Sequence, residues 1–407
     1  MTNLTWAPLV PLIGGQMLGA EKAFGKPPEA IYSYGGFEAN DSHYINYQNS
    51  VKKRGLEYIV LNEANPMPKH KVDVISGTPP CAALSQLNTG RSEAVKGSGC
   101  AKNEYMYEVF KDGIDKFEAK VVVVENAPAL YTNKGQGVAH NLFDICKERG
   151  YSLTLYKTST KYHGIPQARD RTFAIGWKSE TAPIMSWYKR SRETFLEHLN
   201  RVPPDALQHD LIVNEGVATE PYYRFIKMKT NRDPRELCIE ANVKSTFNYV
   251  NGKGMLAEAN QWFKDIGDER AIKLSDHAIK KFSIGKGIWD GSVHVFDEYM
   301  NAVIGRNMVD SIHPVHERSL TIRECLHMMG FPHDFELVGG LPKVNHIAQN
   351  VPVPTSRDIH TEILKFIEDK LPMSKTNFFR QNNHKETTEN DPLGTLVNQA
   401  TLEEFLV

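Results

Sequence analysis

Along the first 180 or so residues, short apolar runs alternate with stretches whose apolar positions recur every three or four residues. "APLVPLI" (7–13), "VDVIS" (72–76), "KVVVVEN" (120–126), "YSLTLYK" (151–157) and "RTFAIGW" (171–177) read as strands. The unbroken run Val121 to Val124 lacks polar alternation, the mark of a strand covered on both faces. In "EYMYEVFKDGIDKF" (104–117), Met106, Val109, Phe110, Ile114 and Phe117 fall at helical spacing. "VAHNLFDICKERG" (138–150) is a second helix, with Gly150 suited to its C-terminal stop. Strands alternating with helices predict an α/β fold on a doubly wound, mostly parallel sheet.

From 188 to 312 this rhythm fails. Pro203-Pro204 and glycine-containing turns interrupt a mixed pattern, so a second, smaller domain is expected there. Regularity returns at "ERSLTIRECLHMMGF", where Thr321 and Glu324 form a T-x-x-E capping box and Gly330 is a stop. "TSRDIHTEILKFIEDKL" (355–371) puts Ile359, Ile363, Leu364, Ile367 and Leu371 on one helical face. The expected organisation is one domain from 1–187 plus 313–371, a second at 188–312, and a polar, flexible tail at 372–407.

Composition adds a few bounds. A chain of 407 residues suits two domains. No apolar run reaches the roughly 20 residues of a membrane span. The N-terminus has no basic leader or cleavage site, and the expected location is the cytoplasm. The five cysteines (Cys81, Cys100, Cys146, Cys238 and Cys325) are scattered, without zinc or disulfide spacing, so no metal is expected. The net charge of −1 does not announce a nucleic-acid partner. Locally, "YYRFIKMKTNRDPR" (222–235) and "KKFSIGK" (280–286) are basic, and each reads equally as a phosphate contact or a solvated face.

Open α/β sheets bind ligands at the carboxyl ends of their strands. Three features sit at predicted strand ends: Gly14-Gly15, Pro79-Pro80-Cys81 and Glu125-Asn126. Prolines restrict the backbone and aim Cys81 with little slack. On its own that cysteine reads equally as a preorganised nucleophile or as packing. Glu125 is costly to bury without a partner and suits a donor to a substrate nitrogen, or a turn carboxylate. Arg169 and Arg171, two apart before a strand, share a face and suit an anion, a carbonyl or a surface ion pair.

Taken in order, Gly-Gly, P-P-C, E-N, "HGIPQARDR", "RSLTIRECLHMMGFPHDF" and "NHIAQNVPVP" resemble the cytosine C5-specific DNA methyltransferase family. The resemblance covers 7–177 and 313–371 and implies a Rossmann-like methyltransferase fold. It makes 188–312 the target-recognition domain and double-stranded DNA the partner of a monomer. Carried over residue by residue, it makes Cys81 the nucleophile that adds to C6 of a flipped cytosine. Glu125 then acts at N3, and Arg169 and Arg171 support the base. S-adenosylmethionine would lie against Ile13, Gly14, Gly15, Glu38, Asn62, Pro79, Gln349, Asn350 and Val351. DNA contacts fall on Ser85 and Arg91 after the cysteine, and on Arg224, Lys227, Lys229 and Arg232.

The donor end departs from the family pattern. The family's F-x-G-x-G-G is "VPLIGG" here, with Pro11 and Leu12 in the Phe-to-Gly region, and its G-N is Ala348-Gln349 in "IAQNVP". These changes open a second reading. The same cysteine addition would use methylenetetrahydrofolate, giving 5-hydroxymethylcytosine, or carboxy-S-adenosylmethionine. A tRNA cytosine methyltransferase and a non-catalytic DNA-binding protein are further alternatives.

Overall fold

The valine run Val121–Val124 is fully buried at the centre of an eight-stranded sheet. The computed structural model describes residues 4–35, 41–80, 84, 100–286 and 292–384. The strands are β1 (Trp6–Leu9), β2 (Ile31–Tyr34), β3 (Tyr58–Leu61), β4 (Val74–Gly77), β5 (Val121–Asn126), β6 (Ser152–Ser159), β7 (Asp170–Trp177) and β8 (Phe378–Asn382). Their order is β8-β6-β7-β5-β4-β1-β2-β3. Every pairing is parallel except the two made by β7. From β1 the chain runs outward through β2 and β3, then returns to the other flank of β1 as β4. The carboxyl ends of β1 and β4 therefore flank a topological switch point, where open α/β sheets place their ligands.

Helices cover both faces. α1 (Gly15–Phe24) and α2 (Asp41–Asn46) follow β1 and β2, and α3 (Glu104–Asp115) and α4 (Gln136–Glu148) flank β5. In α3, Met106, Val109, Phe110 and Ile114 are buried, as their spacing predicts. The C-terminal helix, Val353–Ile367, packs against α1 at close range. A Cβ on Gly19 would stand 2.4 Å from Ser356 Cβ and 2.6 Å from the Val353 carbonyl, so only glycine lets the two helices approach.

Two expectations are corrected. The strand expected at 7–13 stops at Leu9, because Val10 (φ 57°) and Leu12 (φ 54°) leave extended geometry to turn into α1. The segment after Pro372, expected as a flexible tail, is folded as far as residue 384. Its strand β8 pairs in parallel with β6 from Phe378↔Leu153 to Asn382↔Lys157. Phe378 and Phe379 are buried there, which anchors an otherwise polar sequence.

The chain divides into two compact units. The first comprises Met1–Arg192, Met328–Val338 and the residues from Gln349 onward; the second comprises Glu193–His327 and Gly339–Ala348. "RSLTIREC" thus folds with the second unit and "GFPHDF" with the first. The Ile322–His327 helix is held in the second unit by backbone bonds from Ile322 N to Leu211 O (2.9 Å) and Arg323 N to Gln208 O (3.3 Å). Its capping box forms as the sequence predicts: Glu324 N donates to Thr321 Oγ1 (3.1 Å) and Thr321 N to Glu324 Oε2 (2.8 Å). Among the described residues the second unit is largely helical, around a core that includes Tyr222, Phe225, Phe247 and Phe263. No described helix is long and apolar enough to cross a membrane.

Candidate active site

Sheet register gathers the chemistry-bearing segments at one edge. Gly77 of β4 pairs with Val124 of β5, so Thr78-Pro79-Pro80 leaves the sheet beside Glu125-Asn126 at the end of β5. β7 runs antiparallel to β5, with Glu125↔Phe173 and Asn126↔Thr172, so its first residues Asp170 and Arg171 lie at that same edge. Arg171 Nε is 2.6 Å from Glu125 Oε1, and the Glu125 side chain is only 3% exposed. The N–H does not point along the contact, so it is an ion pair rather than an aligned hydrogen bond. A carboxylate this deeply buried needs such a counter-charge. Asn126 accepts at Oδ1 from Ala127 N (2.8 Å), while its buried Nδ2 has no partner among the described residues. A buried donor left unmatched costs about 1–3 kcal/mol until something accepts from it, which is characteristic of a ligand-facing group.

Arg169 does a different job from Arg171, although their spacing predicts a shared face toward one ligand. Buried Arg169 donates from Nη2 to the Asn350 carbonyl at 2.8 Å. Asn350 Oδ1 accepts from Gly15 N at 3.1 Å. A Cβ on Gly15 would lie 2.2 Å from the Val351 carbonyl. The Gly14-Gly15 turn, the Arg169 segment and Asn350-Val351 are therefore locked together.

The loop between β1 and α1 has the shape of an anion cradle. Gly14 is left-handed at φ 104° and caps α1, whose first-turn N–H groups face the loop end. Leu12 takes φ 54° without being glycine, a conformation that costs about 1–2 kcal/mol and is typical of functional loops. Asn46 Nδ2 donates to the Leu12 carbonyl at 3.1 Å and fixes the loop, while Asn46 Oδ1 is buried with no partner among the described residues. A left-handed turn, helix N–H groups and an unmatched buried acceptor fit a zwitterionic amino-acid-bearing cofactor such as S-adenosylmethionine.

The remaining expected cofactor residues are spread more widely. Ile13, Pro79 and Val351 are buried and Gln349 is exposed. Asn62 is exposed beyond β3, and its Oδ1 accepts from Asn65 N (2.8 Å) within its own turn. Cys81, Ser85, Arg91 and Glu38 lie outside the described residues. The other four cysteines are buried. Burial pushes the Cys146 and Cys325 thiols up, and that of Cys238 up to about 12, which makes them poor nucleophiles.

In the second unit, all four expected DNA-binding cations are engaged. Arg224 is 3.8 Å from Asp268, and Lys227 is 2.6 Å from Glu317. Lys229 pairs with Glu258, and Arg232 lies 2.5 Å from Glu240. A different stripe stands clear. On the Glu269–Ser283 helix, Arg270, Lys273, His277, Lys280 and Lys281 fall within an arc of about 100°, and none has an ion pair among the described residues. In the sequence only the end of this stripe stands out, in "KKFSIGK". Asn46 does not stand out at all, and Asn126 does so only as part of Glu125-Asn126, because the significance of both rests on unmatched atoms that no pattern of residue types reveals.

Residues 7–365 match the family profile described as C-5 cytosine-specific DNA methylase. A type II methyltransferase of Bacillus paralicheniformis is 25% identical over 308 residues, covering 66% of this chain and 64% of that protein. One from Neisseria gonorrhoeae is 24% identical over 367 residues, covering 87% and 94%. Among solved structures, a prophage-encoded E. coli protein described as a DNA modification methyltransferase superposes with a TM-score of 0.55. It is 16% identical, with 90% of this chain and 100% of that one covered.

Proposed function

The chain belongs to the family of C-5 cytosine-specific DNA methylases, and from that premise we propose that it methylates C5 of cytosine in double-stranded DNA. The observation that carries this reading is the buried Glu125–Arg171 ion pair at the strand edge from which Thr78-Pro79-Pro80 departs. C5 of cytosine is a weak nucleophile. The Cys81 thiolate attacks C6, and the ring electrons move toward N3 and C5. In its protonated form Glu125 donates a hydrogen bond or its proton to N3 and stabilises that charge, while Arg171 pairs with the carboxylate left after transfer. Asn126 Nδ2 offers a donor to the same base. C5, made nucleophilic by this addition, would take the donor's methyl group as the donor's carbon–sulfur bond breaks; the proton still on C5 then leaves to a base, and elimination frees the Cys81 thiolate.

S-adenosylmethionine, when bound, supplies a methyl group activated on a sulfonium. Ile13, Gly14 and Gly15 would hold its amino-acid end, with Pro79, Asn350 and Val351 beside it; Glu38 and Asn62 are the expected contacts for its nucleoside, and Gln349 lies at the rim. The altered "VPLIGG" residues are compatible with this donor, because Leu12, where the family pattern has glycine, takes a positive φ that glycine would adopt freely. The relatives are methyltransferases by name, which supports a methyl donor over methylenetetrahydrofolate or carboxy-S-adenosylmethionine.

A cytosine within a duplex is out of reach of a thiolate, so the base is flipped outward. We infer that the second unit acts as the target-recognition domain. The cationic stripe from Arg270 to Lys281 follows the phosphates, and the paired Arg224, Lys227, Lys229 and Arg232 contribute less.

Nucleoside mass spectrometry after incubation with duplex DNA or tRNA and each donor tests this reading. The expected product is 5-methylcytosine in duplex DNA, dependent on S-adenosylmethionine. Hydroxymethylcytosine that requires the folate, or product in tRNA alone, would overturn it.

A further inference from the structure

Behind the strand ends, four buried residues close a hydrogen-bonded ring to which a fifth, Thr78, is attached, and the proposed chemistry leaves them unused. Gln16, in the first turn of α1, donates from Nε2 to Ser76 Oγ (2.9 Å) and accepts at Oε1 from Thr78 Oγ1 (3.0 Å). Ser76 Oγ lies 2.9 Å from His360 Nε2, and His360 Nδ1 lies 2.8 Å from the Ser356 carbonyl. Ser356 Oγ donates to the Gln16 carbonyl at 2.7 Å and closes the circuit. None of the five residues is more than 2% exposed.

One fact fixes the direction of every bond. A carbonyl oxygen only accepts, so Nδ1 is the protonated nitrogen of His360. Nε2 must then accept the Ser76 hydroxyl, and Ser76 Oγ accepts from the Gln16 amide. Gln16 Oε1 is left to accept the Thr78 hydroxyl. The ring needs a neutral imidazole, and burial holds His360 at about 4, so a single arrangement persists at neutral pH. A buried polar network satisfied in this way rigidifies what it joins.

What it joins is specific. Thr78 immediately precedes Pro79-Pro80-Cys81, Gln16 immediately follows Gly14-Gly15, and Ser356 and His360 stand on the helix that follows Asn350-Val351. Apolar residues would fill this space without the desolvation cost of five polar groups. Polar residues add a fixed direction for the backbone as it leaves β4. Resting on the proposed function, we propose that Gln16 and Thr78 are positioning residues: the ring sets where the Pro79-Pro80 segment leaves the sheet relative to the first turn of α1, and so governs the addition step made by Cys81.

The test is single-turnover tritium release from C5-tritiated cytosine in duplex DNA, at saturating DNA and donor, alongside DNA Kd and Tm. Thr78→Val keeps the shape and removes the donor; Thr78→Ser keeps the hydroxyl; Gln16→Met removes both of its side-chain bonds. Thr78→Val and Gln16→Met should slow release by about 10- to 100-fold, the scale of a small misplacement at a reacting centre, with DNA Kd within about twofold. Thr78→Ser should recover most of the rate, which a purely structural role would not demand. Release by Thr78→Val at the wild-type rate, or Thr78→Ser as slow as Thr78→Val, would refute the role. Should Gln16→Met fail to fold, the two Thr78 variants decide alone. Wild-type protein that releases no tritium rejects the proposed function and the positioning role together. Wild-type release with unslowed variants rejects only the positioning role.

Discussion

At the scale of single residues, Glu125 and Arg171 make sense only as a pair. Removing the guanidinium strands a carboxylate that is 3% exposed. Arg171→Met should therefore lower unfolding free energy by about 3 kcal/mol, the usual penalty for an uncompensated buried charge. Adding Glu125→Gln to it should restore most of that stability while leaving the protein inactive, because the charge is gone but so is the acid. Denaturant titration with an activity assay separates the two effects. The same pair marks what is readable from sequence. Glu125 at the end of four valines and arginines two apart both stand out as residue types. Their division of labour does not, since Arg169 turns to Asn350, 181 positions away in the chain. Leu12 shows the converse. It breaks the family's glycine pattern on paper, yet the backbone adopts the left-handed turn anyway.

At the scale of elements, the C-terminal helix is the one most tightly bound to the site. It meets α1 across Gly19, and it carries His360 into the ring with Gln16, Ser76 and Ser356. His360 is held at about 4, below its ordinary value of 6.5. Between these values the unfolded chain takes up a proton that the folded chain refuses. Stability from this group is therefore complete above about pH 6.5 and is lost as pH falls toward 4, by up to about 3 kcal/mol. His313, likewise pushed to about 4 by burial, adds to the loss with the same sign in the second unit. Urea titrations between pH 7.5 and 4.5 should show this decline, and His360→Gln should show a shallower one. This helix is legible from its apolar periodicity, because Ile359, Ile363, Leu364 and Ile367 on one face leave few alternatives, although Leu371, expected on the same face, lies beyond its end. β8 is not, because Phe378 and Phe379 are only two apolar residues in a polar run. What makes them a strand is pairing with β6, more than 200 positions earlier in the chain.

At the scale of the whole molecule, the sheet order is legible as a class, since strand–helix alternation implies parallel pairing. The antiparallel β7 and the far boundary of the second unit are not. "RSLTIREC" reads as continuous with "GFPHDF", but the bonds of Ile322 and Arg323 to Leu211 and Gln208 assign it to the second unit. The basic residues illustrate the same limit. Sequence shows where cations cluster, whereas the fold decides which are already neutralised by carboxylates. Deleting one cation that neutralises a phosphate should flatten the dependence of log K on log salt by about one. Replacing Arg270, Lys273 and Lys280 with alanine should thus reduce the slope for duplex DNA by about three. Replacing Lys227, Lys229 and Arg232 should change it less, because each already pairs with a glutamate. Binding titrations across a salt series distinguish the two sets.

Under the proposed function, Cys81 adds covalently to a cytosine that Glu125 helps to activate. A duplex carrying 5-fluorocytosine at the target position has no C5 proton to lose, so the adduct cannot be resolved. Wild-type protein with S-adenosylmethionine should form a complex that survives denaturing electrophoresis, Cys81→Ala should form none, and Glu125→Gln should form it far more slowly. A complex that forms equally well in Cys81→Ala, or no complex with wild-type protein on any 5-fluorocytosine-substituted duplex, would contradict the account.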